Sequence, residues 1–405
     1  MKRVFLTVVF VLCVITGHSQ TTNPLFERVA DAIQSGEQFR EAPSVFVNDD
    51  APTRRVPVEH LQENRLTYLT YDYSKIPKSS KAISLEVPYL QEWFELELVQ
   101  TDPDIFDYQL STSGDGNIPK VSNALHFSGI VKDNPKSFVA ISFFPDNVMG
   151  LISTPDGDFE IGRIGTTDQY VIYRDQDVKT ENSFHCDATL PANFNGYDPD
   201  MLFDTNSRSS SATKCVGMHL EVGNEVLVDQ GNLTAATNYI EGLFHQVAII
   251  YYYESITVYI YSMNIWTTPD PYTGGTDTLL LLNQFRQNVQ LNFNQKLGQL
   301  LVYSGTSGIG GRAYLDVLCD FDPDDRLSVS HIAATFNQFP NYTRSVKVMA
   351  HEIGHNLGSA HTHACVWYGS LNQAIDGCWT VEGSCNQPGY PLGGGTIMSY
   401  CDQPG

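Results

Sequence analysis

The chain has 405 residues, with 46 acidic against 24 basic side chains and a formal charge of −22 at pH 7. Such a surplus repels phosphate backbones and offers no basic run for counterion release, which excludes nucleic acid as a partner. The length suffices for at least two domains beyond a leader.

Lys2 and Arg3 precede an apolar run from Val4 to Ile15, and Gly17-His18-Ser19 follows as a small-residue cleavage site. Residues 1–19 therefore read as an export signal. The run is too short to span a bilayer and no later segment reaches the needed length, so a secreted chain with no membrane span is expected. Residues 20–200 alternate apolar and polar positions between turn clusters, as in Ser137 to Phe144 and Val148 to Ile152, which predicts a strand-rich domain. Residues 201–212 are polar and serine-rich, a linker in which Arg208 is a point for proteolytic cleavage. Residues 213–405 form the last domain. There a strand is expected at Cys215 to Val222, a helix at Leu233 to Tyr253, a strand at Ile256 to Met263 and a helix at Asp277 to Leu297. Strands at Leu300 to Tyr303 and Arg312 to Val317 then lead to a helix from Arg344 to Leu357. This order predicts a mixed α/β layer structure.

The final helix carries His351 and His355, four residues apart and hence stacked on one face of a 3.6-residue helix. Gly358 offers the left-handed residue at which the helix stops and the chain turns, returning His361 to the same point. Three neutral imidazoles leave the fourth tetrahedral position of zinc open, the mark of a catalytic rather than a closed structural site. Glu352 sits between the paired histidines, placed as a general base for a metal-bound water without being a ligand. His245, His331 and His363 read as packed or surface histidines, since the ligand set is already complete. Downstream, Gly393-Gly394-Gly395-Thr396-Ile397-Met398-Ser399-Tyr400-Cys401 puts a methionine in a tight turn.

The pattern HExxHxxGxxH followed by such a Met-turn resembles the metzincin zinc peptidases, and HEIGHNLG is most similar to their reprolysin (adamalysin) branch. The resemblance implies an α/β catalytic domain with a twisted mixed sheet, long helices and a zinc cleft, preceded by a strand-rich prodomain. It implies one catalytic zinc, hydrolysis of protein or peptide substrates, Glu352 as general base and Met398 as the floor of the metal site. Gly311-Arg312-Ala313-Tyr314-Leu315 resembles the edge strand that binds extended substrate. The segment from His126 to Ile161 resembles a reprolysin propeptide, which would serve as a folding aid and intramolecular inhibitor. Two features depart from the branch: Thr362 stands where an Asp is usual, and Tyr400 is placed as in astacin-like and serralysin-like metzincins. There such a tyrosine stabilises the oxyanion; here a tyrosine simply packed in the turn is the alternative. The resemblance also raises a structural calcium with Glu221 as first ligand, and a further helix after Met398, whose absence from the remaining seven residues (405 − 398) suggests a truncated chain.

Eight cysteines less Cys13 of the signal leave seven, enough for three bridges and one free thiol in an oxidising compartment. By resemblance Cys319 joins Cys401, while pairing among Cys215, Cys365, Cys378 and Cys385 stays open. Cys186 stands upstream of the metal helix, and a thiolate is a strong zinc ligand. It is read as the fourth ligand of a latent precursor, with a disulfide cysteine as the alternative. A different functional class also remains: an exported binding or adhesion protein with a non-catalytic zinc. A zinc amidase acting on non-peptide amides shares the same chemistry.

Overall fold

The computed structural model describes residues 23–179, 185–186, 194, 196–198, 214–289, 296–303, 309–318, 322, 325–333, 340, 342–368, 373–392 and 394–401. The expected signal, the linker with Arg208, and Cys319 lie outside them.

The first half opens with helix α1 (Pro24–Gln34), capped by the Asn23 side chain, which accepts from the Leu25 amide at 2.9 Å. Strands follow as β1 (Arg40–Glu41), β2 (Phe46–Asn48), β3 (Leu66–Tyr71), β4 (Ala82–Tyr89), β5 (Glu92–Gln100), β6 (Gln109–Thr112) and β7 (Gly116–Ile118). Then come β8 (Leu125–Val131), β9 (Phe138–Phe144), β10 (Asn147–Thr154), β11 (Gly157–Arg163) and β12 (Tyr170–Arg174). Ten of them form one sheet in the order β1-β4-β5-β8-β9-β10-β11-β12-β3-β2. The strand-rich expectation for this region agrees with that sheet. β9 is apolar along nearly its whole length because both of its faces are covered. Val139, Ile141 and Phe143 join the sheet's own core, while Ala140 and Phe144 meet the second half of the chain.

The second half supplies β14 (Lys214–Val222), β15 (Ile256–Ile265), β16 (Lys296–Tyr303), β17 (Ile309–Ala313) and β18 (Leu327–Ile332), preceded by the two-residue β13 (His185–Cys186). The second sheet runs β13-β17-β18-β16-β14-β15-β6-β7. It is mixed: β18, β16, β14, β15 and β6 are mutually parallel, whereas β17 is antiparallel to β18. Three strands from before residue 200, β6 and β7 at one edge and β13 at the other, thus complete the sheet of the C-terminal half.

Its helices are α2 (Asn224–Gln230), α3 (Leu233–Tyr253), α4 (Thr278–Asn288) and α5 (Thr343–Asn356). Asn232 caps α3 by accepting from the Ala235 amide at 2.9 Å. α3 is buried on nearly all sides because it lies between the two sheets, and Gly242 in its middle lets Met149 approach. A Cβ there would come within 2.5 Å of the methionine sulfur.

Two expected boundaries move. α4 ends at Asn288 rather than near Leu297, and Lys296 already begins β16, because Leu297, Leu300 and Leu301 bury themselves by pairing with β14 on one side and β18 on the other. β17 ends at Ala313, so Tyr314 and Leu315 of the expected edge strand lie past it. There the Tyr314 amide turns to Leu327 O at 3.3 Å and its carbonyl accepts from Asn356 Nδ2 at 2.8 Å.

Candidate metal centre

α5 rests on Gly354, where a Cβ would collide with the Met398 sulfur, so the methionine packs directly beneath the metal-binding turn of the helix. Gly358, at φ +102°, follows the helix and donates to His355 O at 2.9 Å, turning the chain towards His361.

The three imidazoles converge. His355 Nε2 lies 3.1 Å from His351 Nε2 and 3.2 Å from His361 Nε2, and the His361 to His351 distance is also 3.2 Å. Nitrogens on a tetrahedral zinc at about 2.0–2.1 Å are about 3.3 Å apart, so the triangle has the size that ion requires. Each ring is oriented through its other nitrogen. His351 Nδ1 is 2.7 Å from Ile397 O, His355 Nδ1 is 2.7 Å from Ser359 O, and His361 Nδ1 is 2.8 Å from a Glu382 carboxylate oxygen. All three acceptors require a proton on Nδ1, which leaves the Nε2 lone pairs directed at the common point. Burial and then repulsion from neighbouring histidines hold His351 well below the usual histidine range and His355 down to about 3. Both rings are therefore neutral, the form in which imidazole binds metal.

Cys186 supplies the fourth corner. Its Sγ is 3.4 Å from His355 Nε2 and 3.5 Å from Glu352 Oε2, and the residue is buried. The four residues Cys186, His351, His355 and His361 form one metal-sized donor cluster. β13 brings the thiol there by pairing parallel with β17, His185 opposite Ile309 and Cys186 opposite Gly311. The open edge of β17 is thus covered by the chain's own upstream segment. Gly311 is obligatory in that position, because a Cβ would stand 2.5 Å from Glu352 Oε1. Tyr400 accepts the Cys186 amide at 2.8 Å, and its hydroxyl lies 3.3 Å from His361 Nε2. On the other side of the centre Tyr197 donates to Gly358 O at 2.6 Å, accepts from the Ala360 amide at 2.6 Å and stacks on Trp367.

Sequence reasoning missed Glu382. Its backbone bridges the ligand loop, with Glu382 N donating to His363 O at 3.1 Å and Cys365 N donating to Glu382 O at 2.8 Å. A Cys365–Cys385 disulfide closes the same loop. The same Glu382 oxygen lies 3.2 Å from His363 Nε2, which makes His363 a neighbour of the ligand shell rather than a member. Burial pushes the Glu382 carboxyl up, but hydrogen bonds from His361 and His363 outweigh it and hold the group well below the usual range. Thr362, where the reprolysin pattern has Asp, donates through its hydroxyl to Met398 O at 3.2 Å and so ties the third ligand to the Met-turn.

The disulfides differ from expectation. Cys401 joins Cys378, not Cys319, because the loop after the third ligand folds Cys378 to 4.8 Å (Cα–Cα) from Cys401. Cys215 is free and exposed at the start of β14, so among the described cysteines two bridges form. Nor does Glu221 suit calcium. Its Oε1 accepts from Asn264 at 3.2 Å, Tyr272 at 3.0 Å and Trp266, and its Oε2 meets His219 at 3.1 Å. Calcium takes six to eight oxygen ligands, and this carboxylate is wrapped in donors instead. His331 is 2.9 Å from Gly275 O and His245 is held by Thr101 and Ser142, away from the metal centre.

The donor set of this centre supports a metzincin-like zinc metallopeptidase. Residues 212–405 match the family model Reprolysin_5, metallo-peptidase family M12, and the C-terminal half of the chain is assigned to that class on this match together with the donor set. Among solved structures, the crystal structure of metalloproteinase-II from Bacteroides fragilis is similar at 12% identity and a TM-score of 0.42, over 74% of this chain and 88% of that one. A chaperone–substrate complex is similar at 16% identity and a TM-score of 0.26, over 41% of this chain and 30% of that chain. Both overlaps are too loose to define a shared architecture. No helix among the described residues is long and apolar enough to cross a membrane.

Proposed function

We propose that the chain is a secreted, reprolysin-like zinc endopeptidase made as a latent precursor, with residues 20–200 as its prodomain. The observation that carries this reading is the closing of a three-imidazole triangle by a thiol that reaches it from upstream of the catalytic half. His351, His355 and His361 would hold the ion in the active enzyme, and Cys186 would add a fourth bond in the precursor. When bound, zinc supplies a water acidified to about pKa 7 and a Lewis acid for the substrate carbonyl.

The chain's own groups do the rest. Once β13 leaves, β17 presents a free edge on which an extended peptide can pair through Gly311, Arg312 and Ala313, in the place His185 and Cys186 now occupy. Glu352, buried beside that edge, takes a proton from water and returns it to the leaving amine. The Tyr400 hydroxyl, freed from the Cys186 amide, is positioned to donate to the oxygen that gains charge. Met398 and Thr362 keep the ligand loop seated, and Glu382 orients His361.

A closed, purely structural zinc is the weaker reading, because the fourth ligand comes from a segment upstream of the catalytic half and a carboxylate stands beside it. The test is Glu352→Ala in protein processed near residue 208. Zinc content should stay near one ion per chain while hydrolysis of casein or a quenched peptide falls about 10²- to 10⁴-fold. Chelator-insensitive hydrolysis, or full activity in the variant, would overturn the assignment.

A further inference from the structure

We infer that residues 23–179 are not shed with the inhibitory segment but stay bound to residues 214–401 as a noncovalent second subunit after the chain is cut between them. The inference concerns the side of the molecule remote from the metal and stands independently of the zinc reading.

Each half buries a carboxylate whose donors belong to the other half. Glu241 of α3 is fully buried; Tyr108 donates to it at 2.7 Å, Lys120 Nζ lies at 2.9 Å, and the Ser122 hydroxyl closes the set. In return Glu160 of β11, also fully buried, accepts the amides of Tyr342 and Thr343 at 3.0 Å each and the Thr343 hydroxyl. Those amides open α5, whose own N-cap residue makes no side-chain capping bond. The metal-bearing helix therefore takes its cap from the first half of the chain. His245, fully buried beside Glu241 on α3, has both ring nitrogens engaged by the first half, with Thr101 Oγ1 at 2.8 Å and Ser142 Oγ at 3.0 Å.

Backbone and apolar surface follow the same course. β6 extends the second sheet by parallel pairing with β15, from Ser262 opposite Gln109 to Ile265 opposite Thr112. Ile105, Phe106, Leu110, Phe144 and Met149 belong to one core with residues of α3 and α5. Two glycines mark where the halves interlock. Besides Gly242 under Met149, Gly162 of β11 would place a Cβ 2.6 Å from Pro340. Separation would strip a helix of its cap, bare a sheet edge and leave a buried anion without donors, which is the character of a permanent interface. By contrast the inhibitory strand is two residues long, so its departure and that of the larger unit are separate events.

The experiment replaces residues 205–211 of the full chain with a site-specific endoprotease sequence and adds a C-terminal tag. After complete cleavage the protein is passed over a sizing column at low micromolar concentration and high salt. Both fragments should co-elute in equal amounts and part only in denaturant. Fragments that elute apart, whether the second is folded or aggregated, would overturn the inference. Glu241→Gln should speed fragment exchange at least about tenfold; an unchanged rate would remove the carboxylate from the interface argument. Zinc measured in the same fractions separates the two readings. A co-eluting pair without zinc sinks the peptidase assignment alone, and separated fragments with zinc sink this one alone.

Discussion

The N-terminal half closes the catalytic half at two places, and it does so by different physics. At the metal centre the closure is a two-residue strand, one thiol 3.4 Å from a histidine, and a few aromatic and hydroxyl contacts from Tyr197 and Tyr400. At the rear it is a shared sheet, a shared core and two fully buried carboxylates held across the boundary. A closure built from few contacts can open without unfolding the protein, whereas one that satisfies buried charge and helix ends cannot. The contrast places the proposed inhibition at the front and the stability of the joined halves at the rear.

The sharpest test of the front is Cys186→Ala. Removing the thiol takes away one proposed metal bond and little else of the fold, so the uncleaved chain should hydrolyse peptide or process itself. Its melting temperature should shift by no more than a few degrees. A precursor that stays latent would remove the thiol from the inhibitory mechanism.

At the rear, Glu241→Gln should cost about 2 kcal/mol of unfolding free energy in chemical denaturation, because Tyr108 and Ser122 lose a charged acceptor in a buried site, while the exposed Lys120 can turn to water. The same network sets the acid response. Burial pushes the Glu241 carboxyl up, but His126, Lys120 and Ser122 outweigh it and hold it at about 2, against an ordinary 4.5. Its contribution is complete above pH 4.5 and is lost as pH falls towards 2. His126 and His245 are held below the usual histidine range by burial, so they also disfavour acid: the unfolded chain takes up protons that the folded one refuses. Glu160 opposes this, since burial raises it to about 7 and its contribution shrinks as pH rises from 4.5 to 7. Stability therefore begins to fall with the two histidines below pH 6.5, partly offset by Glu160, and falls most steeply below pH 4.5, where the limb should flatten in Glu241→Gln. An unaltered acid limb in that variant would move the lock elsewhere.

The smallest expected effect returns to the front. Glu382→Ala should weaken zinc binding by about 10- to 100-fold in chelator competition, with Glu382→Gln recovering part of it because an acceptor for His361 Nδ1 remains. Thermal stability of the whole chain should barely change, since the carboxylate is partly solvent-exposed. Equal zinc affinity in all three proteins would leave Glu382 as a loop residue only.

The metal centre was legible in the sequence to the extent that its geometry is local. Helical periodicity alone stacks His351 on His355, a left-handed glycine returns His361, and the spacing fixes where Glu352 stands. α3 was legible in both of its bounds, because a long helical run of apolar residues defines it without outside help. The sequence also singled out Cys186, though only the pairing of β13 with β17 brings it to the imidazoles.

What the linear order could not settle depends on partners distant along the chain. Cys401 chose Cys378 because a folded loop made them neighbours, and no spacing rule distinguishes that from a bridge to Cys319. Glu382 is one acid among 46 in composition and becomes a ligand-orienting group only when the bridge between Ala364 and Glu382 sets it beside His361. The residues that join the halves, Glu160, Glu241 and Lys120, carry no motif. Periodicity and short-range sterics write the elements and the metal grip into the chain, while the satisfaction of buried charge is a property of the whole packed molecule and appears only once its partners meet.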